Sequence, residues 1–224
     1  MRKEPWILDS KEIIYEELTN RMDQGICPIC DFVEFRLAEA LERFLYEGIN
    51  TPHTRAKIEW TNGFCNFHAH RLLELGDPLS HAILYHDFMN NVMKDVPDKK
   101  SKTDRSEHKE CFFCGIQKSN EEDYTKAFLE FYKNEDFASR YENGNSVLCV
   151  PHLVMIQKIR FANKKTVNRL VEATMEKYKS LNAHLSEIKR KSDYRNTHEK
   201  WTDEEKSAWK KAVQIFNAYP GIRP

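Results

Sequence analysis

Cys27-Pro28-Ile29-Cys30 and Cys65-Asn66-Phe67-His68 return 84 residues later as Cys111-Phe112-Phe113-Cys114 and Cys149-Val150-Pro151-His152. Each half of the chain therefore reads C-x2-C-x34-C-x2-H. Three thiolates and one imidazole complete a tetrahedral zinc shell, and two short ligand pairs joined by a long excursion are how such a shell ties distant segments together. The spacing predicts two structural zinc ions, one on Cys27, Cys30, Cys65 and His68 and the other on Cys111, Cys114, Cys149 and His152. An iron-sulfur cluster on the same residues is the alternative metal reading, which the short chelating pairs disfavour.

The offset extends beyond the ligands. Phe44-Leu45 maps onto Phe128-Leu129, Leu72 onto Ile156 and Ile83 onto Val167, as an old internal duplication would leave them. It also separates two neighbouring histidines, because His68 maps onto His152 whereas His70 maps onto Val154. His68 is the expected ligand. Cys65 and His68, three residues apart on a helix, can face one ion.

The chain has 224 residues, 40% of them hydrophobic and 31% charged, the balance of a globular protein with a core. No apolar run approaches the ~20 residues of a membrane helix, and MRKEPWILDS at the start lacks the uninterrupted apolar stretch of a signal peptide. A cytoplasmic address without a membrane follows as the expectation. All six cysteines belong to the two quartets, which leaves none for disulfides and fits a reducing compartment.

Helical signals dominate. A first helix is expected over about Asp9–Gln24, stopped by Gly25. Asp31, with Glu34 three residues on, should cap a second helix that runs to Gly48. Thr51-Pro52 opens a short helix, the CxxH segment continues to Leu75 and stops at Gly76, and Asp77-Pro78 starts another helix to about Asp95. After His152 the chain is expected to stay helical, bending near Asn163, to about Ser192. In this stretch Val167, Val171, Thr174, Tyr178, Leu181, Leu185 and Ile188 form a heptad seam, which should pack within the chain, as a monomer, rather than between copies. Thr202 and Glu205 make a capping box for a last helix whose shared face is Trp209, Ala212, Val213 and Phe216. The predicted fold is all-α, with two pseudo-repeated helical halves, each pinned by a Cys3His zinc site, plus a C-terminal helical extension. Its parts are a first half at 1–96, a charged linker at 97–110, a second half at 111–192 and the extension at 193–224.

The duplicated CxxC…CxxH frame, together with Ser192-Asp193-Tyr194-Arg195, Glu205 and Trp209, resembles a prokaryotic family catalogued only as a domain of unknown function. The resemblance covers nearly the whole chain. It implies metal binding and a mostly helical fold, and no assigned activity.

Closed Cys3His shells leave no water for the metal to activate, so a non-enzymatic binding or regulatory module is favoured, its partner an unidentified protein. Signatures of zinc proteases, zinc deaminases, phosphate loops and serine hydrolases are absent from the sequence. Two rivals remain open. One is an enzyme whose site lies on a helix face near His70, Glu74, Asp77, His81 and His86; the other is a redox switch in which oxidised thiols release zinc. Residues 158–191 carry ten Lys and Arg against three Glu, the sole candidate footprint for nucleic acid and the less favoured one, since a solvated helix has the same composition. Tyr194, Trp201 and Trp209 are expected to dock onto the core rather than form a binding platform.

Overall fold

A computed structural model describes residues 10–61, 63–95, 110–196 and 198–221. Among them are ten α-helices, two short 3-10 turns and no strand. The expected linker at 97–110 lies, apart from Glu110, outside the described residues. Two compact units divide the chain: the described residues of one fall in Phe35–Asn120, and those of the other in Leu8–Glu34 and Glu121–Pro224.

In the second unit, α1 (Lys11–Asn20) starts at Ser10, whose hydroxyl accepts from the Ile13 N–H at 3.3 Å. It is shorter than expected, because the chain turns at Arg21 and reaches a left-handed Gly25 (φ 74°). Then α2 (Pro28–Tyr46) begins three residues before the expected cap. Pro28 lacks the N–H that a first turn leaves unbonded, and Asp31 sits inside that turn, where its charge favours the positive helix end. Its first residues belong to this unit and the rest to the other.

Helices α7 (Glu135–Asn143), α8 (Val150–Gln157), α9 (Lys164–Lys191) and α10 (Asp203–Asn217) complete the second unit with the latter part of α6 (Phe112–Phe131). Its core holds Leu18, Met22, Phe32, Phe128, Phe137, Tyr141, Leu148, Ile156 and Leu170. The expected continuous helix after His152 is broken. Phe161 takes a positive φ of 62°, and Asn163 starts α9 afresh by accepting from the N–H groups of Lys165 and Thr166 at 2.9 and 3.3 Å. The α9 seam faces the chain's own core through Val167, Val171, Thr174 and Tyr178, joined by Leu170, and α10 packs along α9 and α8.

On α10 the capping box of Thr202 and Glu205 forms as expected, but the inward face is different. Glu205, Ala208 and Ile215 are buried, while Trp209, Val213 and Phe216 are 52%, 58% and 72% exposed. Alanines let α10 approach its neighbours closely, which turns the large residues outward. Tyr194 (84% exposed) and Trp201 (38%) likewise do not cover the core.

In the unit of Phe35–Asn120, the rest of α2 meets a 3-10 turn (Gly48–Asn50), α3 (Pro52–Trp60), α4 (Asn66–Leu75), α5 (Pro78–Asp95) and the start of α6. Leu37, Leu41, Phe44, Ile49, Ile58, Leu72, Leu84 and Phe113 form its core. Gly76, at φ 88°, ends α4, and Asp77 accepts from the Ser80 N–H at 3.2 Å to begin α5, as the sequence signals require. No helix among the described residues is long and apolar enough to cross a membrane.

Candidate metal centres

The eight expected ligands come together in two groups of four, with the pairs exchanged between halves. Cys27 and Cys30 meet Cys149 and His152, and Cys65 and His68 meet Cys111 and Cys114. This corrects the within-half quartets. The 84-residue offset makes both CxxC pairs equally suited to both CxxH pairs, so spacing cannot choose between them. Each group lies wholly within one unit.

All four pairs occupy helix N-termini. Cys65 and Cys149 are the caps of α4 and α8, and the carbonyls of Cys27, Cys65, Cys111 and Cys149 accept from the N–H four residues on at 2.9–3.0 Å. The second ligand of each pair therefore sits in the first turn. Unbonded N–H groups and the positive end of the helix dipole surround the sulfurs, a setting that favours thiolates.

In the Cys27 group, Cys149, Cys30 and Cys27 Sγ lie 3.0, 3.3 and 3.5 Å from His152 Nδ1, and Cys30 and Cys149 are 3.6 Å apart. In the Cys65 group, Cys65, Cys114 and Cys111 Sγ lie 3.2, 3.4 and 3.7 Å from His68 Nδ1, with Cys65 and Cys114 3.7 Å apart. These sulfurs are far beyond the roughly 2.05 Å of a disulfide, and all six cysteines are free. In both groups Nδ1 is the nitrogen turned toward the sulfurs. His68 is in its group and His70 is not.

The electrostatics call for a cation. In the Cys27 group, contact with Cys149 and Cys27, together with burial, pushes the Cys30 thiol far up, and Cys149 is raised chiefly by Cys27. Burial also works against ionising Cys27, yet hydrogen bonding from Cys149 and Cys30 and the charge of His152 bring it well below its ordinary value. In the other group Cys111 is pulled down to about 3, first by Cys114 and against burial, while Cys114 is driven far up, first by Cys111. Cys30 and Cys149 thus resist ionising beside Cys27, as Cys114 does beside Cys111. A bound dication would make three thiolates compatible.

The surroundings of the two histidines differ. Nε2 of His152 lies 3.0 Å from Oε1 of Glu121, and both side chains are almost wholly buried. Neither atom has a well-aligned hydrogen-bond partner, so this is a close charge–dipole contact. A carboxylate behind a ligating imidazole fixes its tautomer and raises its basicity. His68 Nε2 is buried with no hydrogen-bond partner among the described residues, at a cost of about 1–3 kcal/mol. At the position 84 residues before Glu121 stands Leu37. Sequence analysis missed Glu121, and nothing in the acidic run Glu121-Glu122-Asp123 marks it; only burial does.

The chain matches the family of unknown function DUF6062 over residues 12–220. It belongs to that family. It is also 32% identical over 195 residues, covering 84% of this chain and 93% of the relative, to an uncharacterized 23.9 kDa protein in the xynA 3′ region of Caldicellulosiruptor sp. (strain Rt8B.4). No solved structure matches.

The histidines of the alternative helix-face site do not converge. His70 and Glu74 are exposed on α4. Asp77 is occupied with Ser80, His81 Nδ1 contacts the Asp77 carbonyl at 2.9 Å, and His86 contacts Asn90 at 3.3 Å. Two cavities, of about 180 and 230 Å³, are lined by residues of the other unit and by none of these.

Proposed function

We propose that the protein binds two structural zinc ions and serves as a non-enzymatic binding or regulatory module. The spacing of the donor atoms carries this reading. A tetrahedral ion with zinc–sulfur distances of about 2.3 Å and zinc–nitrogen distances of about 2.0 Å separates two sulfurs by about 3.8 Å and a sulfur from a nitrogen by about 3.5 Å. Sulfur pairs at 3.6 and 3.7 Å and sulfur–nitrogen pairs at 3.0–3.7 Å match that frame. Four protein donors close each shell, leaving no position for a catalytic water. Six thiols committed to metal also suit a reducing compartment, which supports a cytoplasmic address.

A protein partner is favoured over nucleic acid. In the basic stretch, Arg169 is paired with Glu135 and Glu142, Arg190 with Glu187 and Glu199, Lys191 with Glu205 and Lys179 with Glu176. Lys177 donates to the Gly144 carbonyl at 2.5 Å. Half of the ten cations are thus engaged within the chain, whereas Trp209, Val213 and Phe216 leave apolar surface free on α10.

Elemental analysis of the purified protein, with the metal identified at its X-ray absorption edge, tests the zinc assignment. Two zinc per chain is the expected result. One metal per chain, or iron in place of zinc, defeats it.

A further inference from the structure

The two centres have the same donors in unequal settings. Cys27, Cys30 and Cys149 are 4%, 1% and 0% exposed, and the imidazole of His152 is backed by a buried carboxylate. In the other group Cys65 and Cys114 are only half-buried, and their sulfurs face each other at 3.7 Å. Among the described residues no carboxylate is paired with its imidazole, and His68 Nε2 has no hydrogen-bond partner there. Solvent access to thiolates and an imidazole that no carboxylate orients both weaken the hold of a centre on its metal and open its sulfurs to electrophiles. The half-buried sulfurs are also the pair placed to react with one another.

We propose that Cys65 and Cys114 are an oxidative modification site: a hydroperoxide joins them in a disulfide and expels the ion of that centre, while the Cys27 centre keeps its own. The inference rests on the two-zinc reading. In the first step one of the two thiolates attacks a peroxide oxygen; an S–O bond forms, the O–O bond breaks and the leaving oxygen takes a proton. The second thiolate then attacks that sulfur. An S–S bond forms, the S–O bond breaks and the departing hydroxide is protonated to water. Two electrons pass from the two sulfurs to the peroxide. The ion, left with Cys111 and His68 alone, departs as a dication. Glu121 is a positioning residue that protects the other centre by holding His152.

The test exposes the intact zinc-loaded protein to hydrogen peroxide beside a chromophoric zinc chelator, with cysteines then mapped by alkylation and mass spectrometry. One zinc per chain should be released, matched by a Cys65–Cys114 disulfide, with Cys27, Cys30 and Cys149 still alkylatable after unfolding. Glu121→Gln should weaken metal binding at the Cys27 centre by about 10–100-fold, read by chelator competition without oxidant, and leave the other centre unchanged. This variant keeps all eight ligands and the side-chain volume, so it remains informative if a ligand substitution fails to fold. Release of both ions together, release of neither, a disulfide within the Cys27 group, or a Glu121→Gln protein with unaltered affinity would overturn the inference. A protein with fewer than two zinc before oxidation would instead defeat the two-zinc reading itself.

Discussion

The exchanged ligation can be tested by counting ions in paired substitutions. Cys27 and Cys149 belong to one group although 122 positions apart in sequence, whereas Cys27 and Cys65, from the same half, belong to different groups. A Cys27→Ser, Cys149→Ser protein removes two donors from a single shell and should retain one zinc. A Cys27→Ser, Cys65→Ser protein removes one donor from each shell and should retain none after a mild chelator wash. The energetic stakes are large, since structural zinc contributes about 10–16 kcal/mol in small zinc-dependent folds, against about 5–15 kcal/mol for the whole stability of a typical domain. Loss of an ion should therefore also lower the helical circular-dichroism signal, and the two losses in the second variant should lower it further. The assay is elemental analysis of desalted protein with circular dichroism on the same samples. Within-half quartets would reverse the counts, with one ion in the Cys27→Ser, Cys65→Ser protein and none in the other; that reversal would refute the exchange.

Tyr141→Phe should cost about 1–3 kcal/mol in urea denaturation with the m-value unchanged, because the hydroxyl accepts from the buried Leu148 N–H at 3.2 Å and lies 2.9 Å from Thr174 Oγ1. An unchanged midpoint would mean the Leu148 N–H finds another acceptor. The Lys191 ammonium, 2.8 Å from both Glu205 oxygens, holds that carboxyl below the usual range near pH 4.3. Because the folded-state value is depressed, the contribution is complete above about pH 4.3 and disappears as pH falls through the folded value. Stability measured against pH should therefore decline less steeply below pH 4.3 in Glu205→Gln, and an identical decline would remove Glu205 from the acid response. Neither DNA nor RNA should bind detectably at low salt. Binding whose log affinity falls with log salt at a slope of about −3 to −4, and which Lys158→Glu, Arg160→Glu, Lys164→Glu and Lys165→Glu together abolish, would restore a nucleic-acid role for the basic stretch.

Features governed by a few adjacent residues were legible in the sequence. Gly76 ends α4, Asp77-Pro78 opens α5, and Thr202 with Glu205 caps α10, because each depends on one turn of backbone. That these eight cysteines and histidines gather in fours was legible for a related reason, as each pair lies within one helical turn. What failed depended on neighbours distant in sequence. The inward face of α10 was misread because Trp209, Val213 and Phe216 were expected to set it, whereas Ala208 and Ile215 are the buried apolar positions and Lys191 pairs with the buried Glu205. The break before α9 was read as a bend near Asn163, yet Phe161 takes a left-handed φ that an α-helix does not contain. Glu121 was invisible, since only the approach of α8 to α6 distinguishes it from Glu122.

Which CxxC closes with which CxxH cannot be decided by the donors, because all four pairs offer a metal comparable chemistry. Loop closure scarcely decides it either. The shortest span between pairs is 43 residues in the Cys65 group, from His68 to Cys111, and 119 in the Cys27 group, from Cys30 to Cys149. Within-half pairing would close two spans of 35 residues instead, Cys30 to Cys65 and Cys114 to Cys149, so the exchange costs only about 1.3 kcal/mol more by the logarithmic loop law, little beside about 10–16 kcal/mol for a structural zinc. The discrimination must come from the residues between and around the ligands. Ile29, Phe32 and Val33, which flank Cys30, share one buried cluster with Leu148, Leu153 and Ile156, which flank Cys149 and His152. Phe113 and Ile116, beside Cys114, share the other with Leu72, one turn beyond His68. Burying a side chain of this size contributes about 1.5–3 kcal/mol, so three or four contacts per group outweigh the closure penalty several times over. The apolar neighbours select the pairing, and a bound metal would lock what they have selected.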